Sequence, residues 1–224
     1  MQELISVTGM ILKAEPFGEY DRRIVILTRE RGKIAAFAKG ARKQGSRLLA
    51  STNPFCFGEF KLFEGRTAYS VLETSIDNYF EGLREDFDGA CYGMYFLEVM
   101  DYYTRENNDE KNMLKLLYQS LRALAHDGLP DLLVRYIFEI KALAQNGEYP
   151  GLPETEHYLD STVYTVSFIV NTPIEKLYTF TVTDSVLKEL GEIAEGFMRR
   201  FVDRRFKSLE ILSEINQIQV ENKE

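Results

Sequence analysis

The chain of 224 residues is 45% hydrophobic, enough to bury the core of one large domain or two small ones. It has no apolar run of about 18 residues and no basic and apolar leader, so the sequence predicts neither a membrane span nor a secretory signal and favours a cytoplasmic protein. The formal net charge is −8, but residues 1–80 carry 12 basic and 9 acidic side chains, so only this part is expected to tolerate an anionic partner.

Residues 1–78 show the two-residue hydrophobic period of β-strands. Five short runs rich in Val, Ile, Phe, Tyr and Thr are separated by turns that contain glycine. The runs are SVTGMILKA, DRRIVILTRE, GKIAAFAKG, FCFGEFKLFEG and TAYSVLETS. Five strands in a segment of this length predict a small β-barrel as the first domain.

Residues 79–224 change to a helical period and form the second predicted domain. Within it, residues 148–182 hold three of the six prolines and the β-branched run TVYTVSFIV, so we predict an irregular, partly extended insertion between helices. The next helix is predicted to start at Thr183 or Asp184, either of which suits an N-cap. The predicted helices lie within residues 89–106, 112–128, 130–147 and 183–212.

The cysteines and histidines of the chain do not indicate a catalytic site. Cys56 and Cys91 lie in separate apolar segments, which favours reduced, buried thiols over a disulfide. Neither His126 nor His157 belongs to a catalytic motif, and the carboxylates show no metal-ligand spacing. We therefore expect no enzyme, no bound metal and no cofactor.

Residues 29–47 carry a local excess of positive charge, with seven basic side chains and one acidic one. In the predicted strand over residues 32–39, small apolar residues would face the crowded barrel interior. This leaves Lys33, Phe37 and Lys39 on the outer face. Cations beside an aromatic ring are typical of surfaces that bind single-stranded nucleic acid, where the ring stacks on bases.

The loop that follows this strand, GARKQGSR, adds Arg42, Lys43 and Arg47 among flexible glycines. These cations would contact phosphates. The alternative is that lysines protect an exposed strand and the loop is simply solvated, as in many proteins that never bind nucleic acid.

Two further sets of residues leave alternatives open. Phe57 and Phe63 share the outer face of the fourth predicted strand, where they would stack on bases or pack against the helical domain. Arg200, Arg204 and Lys207 have helical spacing and would form either a solvated helix face or a second DNA or partner surface.

Several motifs in order give the chain a resemblance to the RecO family of bacterial DNA repair proteins. The opening GMILKAEPFGEYDRRIVILTRERGKIAAFAKGARKQGSRL resembles that of the family, as do NPFCFGEFKLFEGR and the closing RRFKSLEIL. The resemblance implies an α+β chain, with a five-stranded OB-fold β-barrel over residues 1–78 and an α-helical domain over residues 79–224. By this likeness the leading DNA contacts are Lys39, Arg42, Lys43 and Arg47, with Arg22 and Arg23 next.

The family resemblance also implies a function. RecO proteins bind single- and double-stranded DNA, anneal complementary strands, engage the acidic tail of the single-strand-binding protein SSB, and work with RecR so that RecA loads onto coated DNA. Such a protein would be associated with the nucleoid. For the SSB tail, the receiving cation would be Arg122 or Arg135, between which the sequence does not choose; the alternative for both is a salt-bridged position on a helix.

One departure from the family is visible. Many RecO proteins carry a zinc-binding cysteine cluster between the helices, but residues 148–182 contain no cysteine and only His157. A structural zinc site needs four thiolate or imidazole ligands, so no zinc site is predicted. The side chains expected to pack in its place are Val163, Val166, Phe168, Ile169 and Tyr178.

The sequence is also compatible with two other functions. The chain would be a pure interaction module if the helical part bound SSB or RecR and the barrel were only structural. It would be a nuclease if scattered carboxylates bound a divalent metal. DNA affinity with a steep salt dependence separates the mediator from the first alternative, and DNA cleavage with added metal identifies the second.

Overall fold

A computed structural model describes residues 3–66, 68–126, 128–153 and 157–221. The strands are β1 (Glu3–Phe17), β2 (Asp21–Thr28), β3 (Gly32–Ala38), β4 (Phe57–Glu64) and β5 (Tyr69–Asn78). The helices are α1 (Leu48–Ser51), α2 (Glu81–Glu85), α3 (Phe87–Tyr103), α4 (Lys111–Leu124), α5 (Asp131–Gln145), α6 (Asp160–Asn171), α7 (Asp184–Phe201) and α8 (Lys207–Glu221), with a 3-10 turn at Ile174–Lys176.

The chain divides into two compact units. An N-terminal unit comprises Met1–Glu81 with Leu97–Leu114, and a helical unit comprises Gly82–Phe96 with Lys115–Glu224. The sheet ends at Asn78. The N-terminal unit also includes Leu97–Leu114, which follows the predicted domain boundary after residue 78. That boundary therefore stays a prediction.

The five strands form one sheet that closes on itself in the order β1-β2-β3-β5-β4. Neighbouring strands are antiparallel except for the short parallel pairing of β3 with β5. This is the strand order of an OB-fold, and it confirms the fold predicted for the N-terminal part.

Alternation along the strands determines which residues form the barrel core. In β3, Ile34, Ala36 and Ala38 are buried while the residues between them are partly exposed. In β4, Phe60 and Leu62 are fully buried. The predicted inward and outward faces of both strands are therefore confirmed, and the small residues of β3 leave room for the large side chains of its neighbours.

The helical unit is built around α5, whose side chains are buried along nearly its whole length. The α5 helix contacts both α6 and α7. The ring of Phe138 stacks on that of Phe96 with centroids 4.0 Å apart, and Tyr95 meets the edge of Phe206 at 5.3 Å. Thr183 caps α7 by accepting a hydrogen bond from the backbone N–H of Val186, as predicted for that residue.

The predicted insertion over residues 148–182 is only partly irregular. Its β-branched run lies in helix α6, not in an extended segment, which corrects the prediction for these residues. Val166 and Ile169, three residues apart, are fully buried on one face of α6, while Val163 is exposed. Burial of this face outweighs the small helical disadvantage of β-branched residues, so the tertiary packing decides the conformation.

The last predicted helix is interrupted. It ends at Phe201, because Val202 adopts an extended conformation with φ −111° and ψ 113°, and α8 starts only at Lys207. Val202 and Phe206 are both buried on either side of the break. In sequence these positions keep the four-residue spacing of a continuous helix, which is why periodicity did not reveal the break.

Candidate nucleic-acid interface

The positively charged loop after β3 is held against the turn between β1 and β2. The backbone N–H of Gly40 donates to Asp21 Oδ1 at 2.7 Å, and that of Arg42 donates to the carbonyl of Tyr20 at 2.8 Å. Gly40 has φ +64°, a value that favours glycine, and Ala41 is fully buried. The loop therefore has a fixed path next to the β1–β2 turn.

Four cations of this loop point their charges towards solvent. We call Lys39, Arg42, Lys43 and Arg47 the basic loop; all four are exposed. Arg42 Nη1 lies 3.4 Å from the carbonyl oxygens of Gly18 and Glu19, a weak contact at the limit of hydrogen-bond length. The Lys43 ammonium lies 5.4 Å from the centre of the Tyr20 ring. These contacts orient the side chains without neutralising them.

Aromatic side chains lie on the outer face of the same strands. Phe17 is 52% exposed and packs on Phe37 with ring centroids 4.7 Å apart, and Tyr20 is 45% exposed in the adjoining turn. The residue pairs of the sheet place Arg23 next to Phe37. The β2–β3 face and the β1–β2 loop are the surfaces that OB-folds use for oligonucleotides. Exposed rings beside exposed cations can stack on bases while the cations follow phosphates.

Phe17 and Tyr20 were missed in the sequence reasoning. They stand at the end of the first strand and in the turn AEPFGEY, where a period-two pattern no longer specifies a buried or exposed face. Their signal was present, because an aromatic residue on each side of Gly18 and Glu19 is unusual for a solvated turn. Only the approach of the basic loop shows that these rings share its surface.

Arg22, a predicted DNA contact, has an internal role. Its Nη1 donates to Leu49 O at 3.2 Å, Thr52 Oγ1 at 2.9 Å and Asn53 Oδ1 at 2.9 Å, so it ties the end of α1 to the barrel. Burial, followed by repulsion from Arg42, lowers the pKa of Arg22. A DNA contact by Arg22 stays a prediction, but the structure gives this guanidinium three protein acceptors.

Lys33 and Arg23 are also engaged within the N-terminal unit. The Lys33 ammonium forms an ion pair with Asp101 at 3.0 Å and donates to the carbonyl of the same residue. Arg23 pairs with Glu15 at 3.4 Å. Lys13, whose ammonium lies 2.7 Å from that carboxylate, is the main cause of the lowered pKa of Glu15, and Arg23 contributes less.

The predicted stripe of Arg200, Arg204 and Lys207 is not a helix face. Arg200 is in α7, Arg204 lies in the break between α7 and α8, and Lys207 begins α8. All three are exposed, and the Arg200 guanidinium lies 5.3 Å from the centre of the Phe201 ring. Because the helix is interrupted, helical spacing no longer aligns these cations, and a second DNA surface formed by them stays a prediction.

The two cations considered for the SSB tail have different environments. Arg135 is only 15% exposed, with Nε 2.8 Å from Glu139 Oε1 and Nη2 3.4 Å from Glu195 Oε1. Burial opposes the charge of Arg135, but the two carboxylates outweigh it and raise its pKa, while burial raises the pKa of Glu139. Arg122 is exposed and lines a cavity of about 640 Å³. Arg135 also lines a cavity, of about 460 Å³, but two carboxylates pair with its charge, whereas the charge of Arg122 is exposed.

The described residues hold no group of three His, Cys, Asp or Glu side chains arranged around a metal position. Cys56 is buried and Cys91 is half-buried, and both are free thiols. Burial raises the pKa of the Cys91 thiol, with a smaller effect of Asp88. In the described part of the chain, every helix is too short or too polar to span a bilayer.

Comparisons with known proteins find relatives over nearly the whole chain. Residues 1–80 match the family model of the recombination protein O N terminal domain, and residues 84–154 match that of its C terminal domain. The chain is 26% identical to the DNA repair protein RecO of Acetivibrio thermocellus, with 96% of this chain and 98% of the relative covered. It is 29% identical to the protein of that name from Clostridium perfringens, over 96% and 99%, and 34% identical to that of Bacillus pumilus over 69% and 60%.

Proposed function

Since the chain belongs to the RecO family of DNA repair proteins, we propose that it mediates homologous recombination by binding single- and double-stranded DNA and annealing complementary strands. The observation that carries the proposal is the basic loop, fixed next to the exposed rings of Phe17 and Tyr20. Together they provide cations that can contact the DNA phosphates and rings on which bases can stack. This function needs no bound cofactor.

The acidic balance of the rest of the chain supports the assignment of DNA to this surface. Residues 81–224 carry 26 acidic and 15 basic side chains, so they repel a polyanion. A strand held on the basic loop has part of its charge neutralised, which lowers its repulsion of a complementary strand. This is the physical basis for annealing, and it applies to single- and double-stranded DNA because both present phosphates.

We assign the protein partners to the helical unit. The acidic tail of SSB fits the exposed Arg122 and the cavity that it lines better than it fits the occupied Arg135. RecR, and RecA through it, complete the proposed mediator role at the nucleoid.

Fluorescence anisotropy of a labelled single-stranded oligonucleotide over a salt series tests the proposal. Wild-type binding through about five phosphates falls roughly 100-fold between 50 and 200 mM salt. The Arg42→Ala/Lys43→Ala/Arg47→Ala variant is expected to bind more weakly and to lose only about tenfold over the same range. Equal affinity and equal slope for the two proteins would contradict the assignment to the basic loop.

The Arg122 cavity favours one second candidate, a protein-interaction module that binds SSB or RecR with no strong DNA affinity of its own. In that case neither protein binds the oligonucleotide at low salt, while an SSB-tail peptide still binds the wild type. An Arg122→Glu variant would then lose the peptide. DNA affinity without peptide affinity would contradict this candidate.

A further inference from the structure

The segment before α7 has the pattern of a strand but no strand beside it. Residues 178–183 read YTFTVT, an alternation of aromatic or branched apolar residues with threonine that is typical of β-strands. Thr179, Thr181 and Thr183 are exposed, while Phe180 and Val182 are half-buried. Thr183 has extended backbone angles, φ −73° and ψ 160°. Two faces therefore alternate along this segment as they do in a sheet.

The backbone of this segment is unpaired at its centre. Within the described residues, no hydrogen bond is made by the backbone N–H or C=O groups of Phe180, Thr181 and Val182. A row of unpaired donors and acceptors on a strand-like segment is a template for pairing with another chain. We call residues 178–183 the open edge.

Two cavities adjoin the open edge, one at each end. The first, of about 640 Å³, is lined by Tyr178 and Thr179 together with the exposed Arg122. The second, of about 490 Å³, is lined by Val182 and by rings of α6. Phe180 and Thr181 line both cavities. A strand added along this edge would thus have a cation near one end and an apolar cavity near the other.

The apolar cavity lies between the open edge and the helices α6 and α7. Its lining includes Tyr164, Phe168 and Val186, and the Tyr164 side chain is 71% exposed. Phe168 meets the edge of Phe180 with ring centroids 5.2 Å apart. An exposed ring over an apolar cavity can cover a further apolar side chain placed next to Phe180.

The open edge is complementary to itself. In an antiparallel pair centred on Thr181, Thr179 lies opposite Thr183 and Phe180 opposite Val182. Threonines then meet on one face and apolar side chains on the other, whereas a shift by one residue would mix the two faces. The segment itself carries no charge, so the pairing brings no like charges into direct opposition.

The ends of the same pairing bring opposite charges together. In this register Tyr178 lies opposite Asp184, the residue that follows the open edge. The Asp184 carboxylate of a second copy therefore falls beside the cavity that Arg122 lines, while the Tyr178 hydroxyl stays hydrogen-bonded to Ser120 of its own copy. A two-fold axis repeats the contact between Asp184 and Arg122, as in an isologous interface.

We propose that the open edge pairs antiparallel with the open edge of a second copy of this chain, with Thr181 on the two-fold axis and Arg122 of each copy facing Asp184 of the other. Thr181 forms the central hydrogen-bonded pair, so the partner strand supplies the hydrogen bonds that the Thr181 N–H and C=O groups lack, whereas Phe180 and Val182 direct their backbone groups away from it. Because Arg122 is also the cation proposed for the acidic SSB tail, the second copy and that tail compete for it. The pairing itself does not depend on DNA binding by the basic loop.

A charge-swap experiment tests this pairing in the full chain. Sedimentation velocity up to about 100 µM is expected to show a reversible dimer of the wild type. Arg122→Glu and Asp184→Lys each place like charges opposite one another and are expected to raise the dimer dissociation constant about tenfold or more. The double variant restores opposite charges and is expected to return to within about threefold of the wild type.

Two variants of the backbone contact and one surface control complete the test. Thr181→Pro removes the central N–H and is expected to abolish the dimer, while Thr181→Val keeps strand propensity and should retain it. Lys188→Glu, an exposed charge change on α7, should leave the dimer unchanged. A chain that stays monomeric up to about 100 µM, or a dimer that no open-edge variant weakens, overturns the proposal. A failure here with normal oligonucleotide binding leaves the DNA assignment intact.

Discussion

The cations of the basic loop and those of the neighbouring strands carry the same charge, but they differ in how many hydrogen-bond and ion-pair partners the protein gives them. Arg22 and Lys33 have carbonyl, hydroxyl or carboxylate acceptors within the N-terminal unit. The basic loop follows β3 directly, yet its charges are exposed and only oriented by carbonyls and one aromatic ring. A count of cations in sequence treats the two groups as equal. The structure shows that only the loop has most of its hydrogen-bonding capacity left for a ligand.

The helical unit repeats the contrast. Arg135 is enclosed by Glu139, Glu195 and two tyrosine rings, whereas Arg122 is exposed on the rim of a cavity. A buried cation with complete partners contributes to folding, and an exposed cation beside a cavity is free to bind. Removing members of each class should therefore separate stability from binding.

The largest loss of stability is expected from Arg135→Ala. This change leaves the buried Glu139 carboxylate without its ion-pair partner, which typically costs about 3–5 kcal/mol in the free energy of unfolding. Urea unfolding measures the loss, and oligonucleotide anisotropy at low urea should stay at the wild-type value. Lys188→Ala, whose contact with Glu192 is exposed and 4.0 Å long, is the matched control. A loss below about 1 kcal/mol would contradict the engaged role of Arg135.

A smaller loss is expected from Arg22→Ala. The two N–H groups of Nη1, shared among three acceptors at the end of α1, are lost, at about 1 kcal/mol for each hydrogen bond, so roughly 2 kcal/mol in total. Arg22→Lys keeps the charge, but its ammonium lies one bond nearer to the main chain than Nη1, so it should recover only part of the stability. If Arg22→Ala instead leaves stability unchanged and weakens DNA binding as much as a loop variant does, Arg22 is a DNA contact like the loop cations. The distinction between the two groups of cations would then be wrong.

Features that depend on residues close together in the chain could be predicted from the sequence, whereas contacts between distant residues could not. The outward face of β3 depends on neighbours one and two residues away, and the alternation in GKIAAFA predicted it. The partners of Arg22 lie 27 to 31 residues further along the chain, so no local pattern could show that this cation was occupied. The cations of the basic loop were predicted as a group because a charged loop remains exposed in most folds.

The two corrections in the helical unit have a similar origin. The sequence of α6 has strand propensity, but burial of Val166 and Ile169 on one face favours a helix. The break after Phe201 keeps a helical spacing of apolar residues, so its sequence does not differ from that of a continuous helix. In both cases the deciding contacts are with other elements of the fold.

A loss of about 1 kcal/mol is expected from Lys33→Ala. Its ion pair with Asp101 is partly buried, with side chains 20% and 27% exposed, so it contributes more than a surface pair and less than the Arg135 pair. Asp101→Ala should cost about as much, and the double variant should cost less than the sum because the two residues act on one interaction. Additive losses in urea unfolding would show that the ion pair contributes nothing of its own.

The smallest change in stability is expected from Lys39→Gln, because the exposed ammonium of this loop residue has no ion-pair partner among the described residues. The free energy of unfolding should stay within about 0.5 kcal/mol of the wild type. The slope of oligonucleotide affinity against salt should nevertheless fall by about 0.7, the value for one phosphate contact on a single strand. Lys33→Gln is the matched control, since an engaged lysine should lower stability and leave the salt slope unchanged. If Lys33→Gln flattened the slope and Lys39→Gln did not, DNA would follow the strand face and not the basic loop.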